Sequence, residues 1–350
     1  MRRRPETHTG GPSMPSEYGV CGPSMGRSIG KGIRMSAHGA LEAMFSTRIK
    51  DLVVNKLRGT WGHVVFSKLR TLKRLVMRRS YGEHILLQQY TRGTGKQLNL
   101  TNPQRFSEKL FCRMISWNRG HSPIYTELTD KYTARAYVAS KVGEQHLVKL
   151  LWHGKDPSVI PFDTLPEEYV VKTNHASGRV IEVKGRVDRA EVISKLSVWL
   201  KSNYYWGSPE HQYYHIKPRV MIEEYLRNQD GSGPLDYRFW CFRGIPEVIQ
   251  VDNHAHDINP FFDAQWNLLD LHYRESASRP AIAKPINFEQ MIFIASQLSA
   301  GFDFVRVDLY NVDGKTCFGE LTFTPAGSLT LRPESWDLKL GEKWMMSSEN

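Results

Sequence analysis

The pattern of apolar and polar positions divides the chain of 350 residues into three parts. Residues 1–44 carry few large apolar groups and much Gly, Pro, Ser and Arg. Such a stretch cannot bury enough surface to offset the entropy of ordering, which predicts a disordered basic tail. Over 45–100 a basic helical segment is expected. Within it Ile49, Val53, Leu57, Trp61, Val65, Leu69, Leu72 and Val76 recur every three or four positions, with Lys and Arg on the other faces. That spacing predicts an amphipathic helix over 48–79, or two broken near Gly59 and Gly62.

From 101 to 345 the pattern changes. Residues 105–117 read as a helix, with Ser107 placed to cap it and Phe106, Leu110, Met114 and Ile115 on one side; a second helix follows in TDKYTARAYVASKVG. Short strands then alternate with helices: EYVVKTN, a helix over 189–201, PRVMIEEYL, DYRFWCFRGIPEVIQVD, a helix over 288–300, and a closing hairpin, VRVDLYNVDGKTCFGELT. Antiparallel hairpins with intervening helices predict an α+β fold rather than a doubly wound parallel sheet.

The closing hairpin carries polar residues in mid-strand. Asp313-Gly314 sets its turn, and the expected loop is three residues, Val312 to Gly314. Side chains alternate with period two, so an odd loop puts Arg306, Asp308, Glu320 and Thr322 on one face and Val305, Val307, Leu309, Cys317 and Leu321 on the other. A two-residue loop would separate the acids. Two close carboxylates repel unless a cation joins them, and Mg²⁺ takes one or two carboxylates together with phosphate oxygens. The alternative is a cross-strand ion pair between Arg306 and Glu320 on a solvated face.

Two further elements carry chemistry. In EEYVVKTNHASGRVIEVK, Lys172 ends an apolar strand and precedes a small-residue loop from Asn174 to Gly178, expected to be flexible with exposed backbone N–H groups, an arrangement that suits a polyphosphate. In PRVMIEEYL an apolar strand ends in Glu223 and Glu224, which must point to opposite faces, followed by Tyr225 and Leu226. A hinge of this kind offers an adenine backbone donors and acceptors under apolar cover. Each alone also reads as an ordinary strand end. His254 and His256 lie in a loop that either meets a substrate or makes surface hydrogen bonds, and NYYWGSPEHQYYH is either a stacking lid or a packed loop.

Charge narrows the partners. The net charge is +11, yet residues 1–80 hold 16 Lys/Arg against 4 Asp/Glu, which leaves 31 against 32 in the remainder. An anionic partner of the surplus therefore meets the N-terminal quarter. Four scattered cysteines suggest neither a zinc knuckle nor a disulfide framework and point to a reducing, cytoplasmic setting. The chain shows no apolar run of about 18 residues and no apolar core of a signal peptide. Met35 and Met44 are alternative starts to Met1. G-x-S-x-G, H-E-x-x-H and a Walker A loop do not occur.

In order and spacing these elements resemble the ATP-grasp fold, and about Phe106 to Lys343 resembles the TupA-like ATP-grasp family, associated with teichuronopeptide and cell-surface polysaccharide synthesis. The matching stretches are RFSEKL, TDKYTARAYV, VVKTNHASG, NYYWGSPEHQYYHIKPRVMIEEYL, DYRFWCFRGIPEVIQVD and FVRVDLYNVDGKTCFGELTFTP. The resemblance implies two α+β subdomains clasping ATP. It implies that Lys131, Lys172 and Gly178 meet the phosphates, that Glu223, Glu224, Tyr225 and Leu226 hold the adenine, and that Asp236 reaches the ribose. Asp308, Glu320 and Thr322 would hold Mg²⁺, with Lys172 and Arg306 serving the chemical step. Where the family has Glu-x-Asn this chain has Glu320 and Thr322, and Ala176 and Ala326 stand where Gly is usual.

The implied activity is ATP- and Mg²⁺-dependent ligation of a carboxylate to an amine through an acylphosphate, on a cell-surface polysaccharide or its precursor. The rivals are a kinase acting on a hydroxyl and a non-enzymatic module that binds membrane or RNA. Nucleic acid is not expected, because Trp61 and Phe66 are too few aromatics for a stacking platform. Residues 45–80 would either dock on the protein with a solvated basic face or rest on an anionic membrane surface at the inner face of the cell membrane, each basic group near it contributing on the order of 1 kcal/mol. On the membrane reading the full-length protein should sediment with anionic vesicles at low salt and be released as salt rises. Failure to sediment at low salt removes the membrane role.

Overall fold

The computed structural model describes residues 78, 80–253, 255–272, 277–325 and 331–346. The tail over 1–44, all of the amphipathic helix over 48–79 except Arg78, His254 and Ala326 lie outside the described residues. All the structure described belongs to one compact unit, Thr71–Asn350. No helix among the described residues is long and apolar enough to cross a membrane.

Two antiparallel sheets organise this unit. The smaller has the order β1-β4-β2-β3, from Leu150–Gly154, Val220–Glu224, Glu168–Thr173 and Val180–Lys184. The larger has the order β10-β9-β5-β6-β7-β8, from Lys315–Thr322, Phe304–Val312, Leu235–Phe242, Ile245–Asp252, Phe261–Asp263 and Leu268–Leu269. The helices are α1 (80–94), α2 (Phe106–Arg119), α3 (Pro123–Thr129), α4 (Ala134–Val142), α5 (Arg189–Leu200), α6 (Phe288–Ser299) and α7 (Glu334–Lys343). The α+β expectation therefore matches the architecture.

Alternation along the larger sheet places the core. Tyr237, Phe239 and Cys241 of β5 and Val305, Val307 and Leu309 of β9 share one face and are buried with Met291, Ile294 and Leu298 of α6. The opposite face changes character along its length. At one end Trp240, Phe242 and Phe304 join Phe106, Leu110 and Trp344 in a second apolar cluster, while at the other end the same face carries Asp236, Arg238, Arg306 and Asp308. Arg113 of α2 ties this cluster to the strands, donating from Nη1 to the carbonyls of Phe304 (3.0 Å) and Phe323 (3.1 Å) and pairing with Asp303. Ser107 does not cap α2. Arg105 is the N-cap, and Ser107 donates instead to Asp337 of α7, from its amide at 2.8 Å and its hydroxyl at 2.6 Å.

The hairpin differs from expectation in a way that matters. Val312 pairs with Lys315, so the loop is the two residues Asp313 and Gly314, both at positive φ (49° and 85°), as a type I′ turn requires. Such a turn alone would set Glu320 opposite Val307. The register shifts instead between Phe318 and Glu320, leaving Gly319 as the extra residue, and Glu320 comes to lie opposite Asp308. A β-carbon at Gly319 would lie 3.0 Å from the Asp308 carbonyl, so the bulge is tight. The shared face is thus real but arises from a bulge rather than an odd loop. Cys317 consequently pairs with Tyr310 on the polar side, and Phe318 takes the core position that the odd loop assigned to Cys317.

Helix α1 belongs to this core, although its residues were assigned with the basic segment ending near 100. Leu86 and Tyr90, one turn apart, are each only 1% exposed and pack with Phe111 and Met114. Leu86→Ala should cost about 2 to 5 kcal/mol by urea unfolding, whereas Leu100→Ala, at a half-exposed position, should cost little. Equal effects would detach α1 from the core.

Candidate active site

The charged end of the larger sheet is a connected ion-pair network. Arg306 grips Asp308 with both ends of its fork, Nε to Oδ1 at 2.7 Å and Nη2 to Oδ2 at 2.6 Å, both side chains being buried. Nη2 also donates to Thr322 Oγ1 (3.3 Å), and the Thr322 hydroxyl donates to Glu320 Oε1 (3.0 Å). Neighbouring Arg238 pairs with Asp236 (2.7 Å) and Asp252 (2.6 Å) and lies 4.0 Å from Asp308. The cross-strand pair of the alternative reading is present, with Arg306 Nη2 3.8 Å from Glu320 Oε1, but its face is not solvated, because Arg306 is only 8% exposed and Asp308 3%.

Lys131 joins this network to the smaller sheet. Its Nζ is 2.9 Å from Glu320 Oε2 and 3.4 Å from the Ala176 carbonyl, in the loop after β2. It stands on the short break between α3 and α4, where the Asp130 carboxylate accepts from the Tyr132 amide (2.8 Å) and the Asn174 side chain (2.8 Å). That loop is not the open, flexible segment expected. Asn174, His175 and Ala176 are buried, Asn174 also accepts from the Arg219 amide (2.7 Å), and only Ser177 and Gly178 are exposed. Gly178 has φ +70°, a conformation that favours glycine.

On the smaller sheet Lys172 meets Glu223 at 2.5 Å, and Arg135 of α4 reaches the other oxygen of Glu223 at 3.3 Å. Glu223 is buried and Glu224 exposed, the opposite-face arrangement that strand alternation demands. Tyr225 is turned to β3, its hydroxyl 3.2 Å from Glu182 Oε2 and its ring 4.7 Å from Lys184 Nζ, and Leu226 is half-buried. Tyr310 marks where the sheets converge: burial, then Asp236, Glu320, Asp308 and Glu223 in turn, push its hydroxyl well above the ordinary value.

The two hairpin acids are held differently. Burial pushes Asp308 up to about 7 against the pull of Arg306, with Asp236 adding to the rise. For Glu320 burial also acts upward, but Lys131 and Arg306 outweigh it and hold the carboxyl at about 2. Asp236 keeps one buried oxygen, Oδ1, with no hydrogen-bond partner among the described residues. Two opposed carboxylates and a hydroxyl are hard oxygen donors suited to Mg²⁺, provided other ligands come from phosphate or water. Among the described residues no group of three or more His, Cys, Asp or Glu could hold a metal by itself.

Other residues fall beside this centre. His256, at positive φ, places Nδ1 2.9 Å from Asp252 Oδ1, and Asp252 in turn pairs with Arg238. The aromatic run is a packed loop, with Tyr205, His211 and Tyr213 buried. Sequence reasoning passed over Glu210, buried and receiving hydroxyl hydrogen bonds from Ser208 (2.8 Å) and Thr324. It also passed over Arg238, although an Arg two residues from Asp236 on a strand shares its face and was a readable signal.

Because Glu320 is held below its ordinary value of 4.5, its ion pair should stabilise the fold fully above that pH and lose this contribution as pH falls towards 2. Urea unfolding of Glu320→Gln against the parent should show a gap that is widest near pH 7 and closes on acidification. A gap that widens on acidification would contradict the Lys131 pairing.

Residues 108–345 match the model of the family described as TupA-like ATPgrasp. No curated protein matches the chain. Among solved structures it is similar to D-alanine–D-alanine ligase from Bacillus anthracis complexed with ATP, at 16% identity and TM-score 0.35 over 57% of this chain and 54% of that one. It is also similar to D-alanine–D-alanine ligase from Helicobacter pylori, at 16% identity and TM-score 0.39 over 63% and 61%, and to L-amino acid ligase from Bacillus licheniformis, at 14% and 0.41 over 64% and 51%. The chain thus spans less than two thirds of the length of each. With the family model covering most of the chain, over the span that holds both sheets and every residue of the ion-pair network, the protein belongs to the TupA-like ATP-grasp family.

Proposed function

We propose that the protein is an ATP- and Mg²⁺-dependent ligase that joins a carboxylate to an amine through an acylphosphate. The observation that carries this reading is the Lys131–Glu320 pair, which sets a cation from the smaller sheet's loop against the carboxylate facing Asp308. ATP phosphates would compete for Lys131 and Lys172, whose present partners are carboxylates. Asp308, Glu320 and Thr322 would hold Mg²⁺, which when bound neutralises charge on the transferring phosphoryl group. Arg306, locked by Asp308, would offer a fixed guanidinium to the same oxygens, so that catalysis is mostly positioning and charge neutralisation. Glu223, Glu224, Tyr225, Leu226 and Asp236 would hold the nucleoside. The substrate carboxylate would belong to a cell-surface polysaccharide or its precursor, which fits a basic segment over 45–80 resting on the inner face of the membrane.

The reading is tested by ADP release from the purified chain against pooled uronic acids, sugar acids and amino acids. Asp308→Asn and Glu320→Gln should each lower it by about a hundredfold or more, whereas Thr322→Asn, which restores the commoner ligand, should be tolerated. Lys172→Ala should weaken ATP binding in calorimetry by about tenfold to a hundredfold, the worth of a charge-assisted hydrogen bond. Near-normal turnover in both acid variants would remove the metal assignment, and unchanged ATP affinity would place Lys172 outside the nucleotide site.

A further inference from the structure

A cavity of about 850 Å³ lies outside the network and is lined by the segments over 120–133 and 211–219 together with Arg78 and Lys155. Its cations are Arg78, Lys155, Lys217 and Arg219, against two acids, Glu127 and Asp130. Among the described residues none of the four cations has a carboxylate at ion-pair distance. Arg78 rests over the Tyr214 ring at 4.6 Å, and Arg219 rests over Tyr132 at 4.2 Å with Nη1 2.6 Å from His153 Nδ1. Asp130 is already engaged by Tyr132 and Asn174.

A buried histidine adds an independent sign. His211 lines the cavity, is 3% exposed, and has no hydrogen-bond partner at Nε2. Its Nδ1 is 3.3 Å from His121 Nδ1, and His121 Nε2 is 3.1 Å from Thr126 Oγ1. Burial holds both rings neutral at pH 7, His121 down to about 4 with His215 contributing and His211 to about 3 with Arg78 contributing. One proton is therefore shared between the two Nδ1 atoms. When His121 donates it, His211 keeps hydrogen on Nε2 as a buried donor without an acceptor, and an oxyanion selects that tautomer.

Residues that line the cavity are chain neighbours of residues of the candidate active site. Asp130 lines it, and the next residue, Lys131, pairs with Glu320. His211 lines it, and its neighbours Glu210 and Gln212 hold Thr324, Gln212 by a 2.6 Å hydrogen bond. Thr324 follows Thr322 by two residues on the chain that leaves β10.

We propose that this cavity binds the acceptor as an oxyanion-bearing molecule, its carboxylate or phosphate groups paired with Arg78, Lys217 and Arg219 and hydrogen-bonded to His211. Oxyanion binding stands on the cavity itself; the word acceptor rests on the ligase reading. Four cations lining one cavity, with no carboxylate at ion-pair distance among the described residues, suit a ligand with several negative groups better than a single carboxylate.

Calorimetry on the full-length chain tests this, with a non-hydrolysable ATP analogue and Mg²⁺ saturating so that added anions cannot occupy the nucleotide site. The probes are trigalacturonate, tripolyphosphate and neutral maltotriose. One or both anions should bind with a stoichiometry of one while maltotriose does not, and the stronger anion tells carboxylate from phosphate. Lys217→Glu and Arg219→Gln should each weaken anion binding about tenfold or more while leaving the affinity for the ATP analogue unchanged. Lys217 is exposed, so its variant should fold, which thermal unfolding checks. Absence of binding by both anions, or unchanged affinity in both variants, overturns the cavity assignment. Failure of the parent chain to bind the ATP analogue would instead overturn the ligase reading, and the anion titration without nucleotide would still decide the cavity.

Discussion

One extra residue decides what the polar face of this protein can be. A type I′ turn at Asp313-Gly314 would by itself send Glu320 and Thr322 to the apolar side of the hairpin, against α6. The bulge at Gly319 reverses the parity for the last residues of β10 only. Phe318 can then fill the core while Glu320 stands opposite Asp308, and the strand serves both needs. Glycine suits the place because a β-carbon would press on the Asp308 carbonyl and on the Tyr310 ring, at 3.0 and 3.3 Å.

Around that register the charges are held in fixed pairs. Burying an arginine and an aspartate together is tolerable only when geometry and extra hydrogen bonds compensate desolvation, and the Arg306 fork on Asp308 with Thr322 alongside supplies both. Lys131 and Lys172 each hold a carboxylate on a different sheet, so a polyphosphate arriving between them would exchange partners rather than meet bare charge. The proposed nucleotide site is in this sense preorganised, since its groups already stand on strands whose registers are fixed by the core.

Much of this was legible in the residues. Antiparallel hairpins, the helices over 189–201 and 288–300, and the split between Glu223 and Glu224 follow from periodicity, which reports burial directly. The hairpin's shared face was reached through the wrong irregularity, because period-two counting fixes parity but not where the odd residue sits. Helix α1 falls in the basic segment on sequence alone, because the cluster that Leu86 and Tyr90 join is completed by Leu331, Leu340 and Trp344, far along the chain. The loop from Asn174 looked flexible because small polar residues read as exposed; what holds it is a set of long-range bonds to Asp130, Lys217 and Arg219. The basic cavity had no local signature, since its cations come from separated segments.

The most direct measurement of the central claim is a crystal structure of the full chain with Mg²⁺ and a non-hydrolysable ATP analogue. The account predicts a metal about 2.0 to 2.1 Å from oxygens of Asp308 and Glu320, with Lys131 and Lys172 turned from their carboxylates to the phosphates. A bound nucleotide that leaves the Lys131–Glu320 and Lys172–Glu223 pairs as they are, with its metal ligated away from the hairpin, would contradict it.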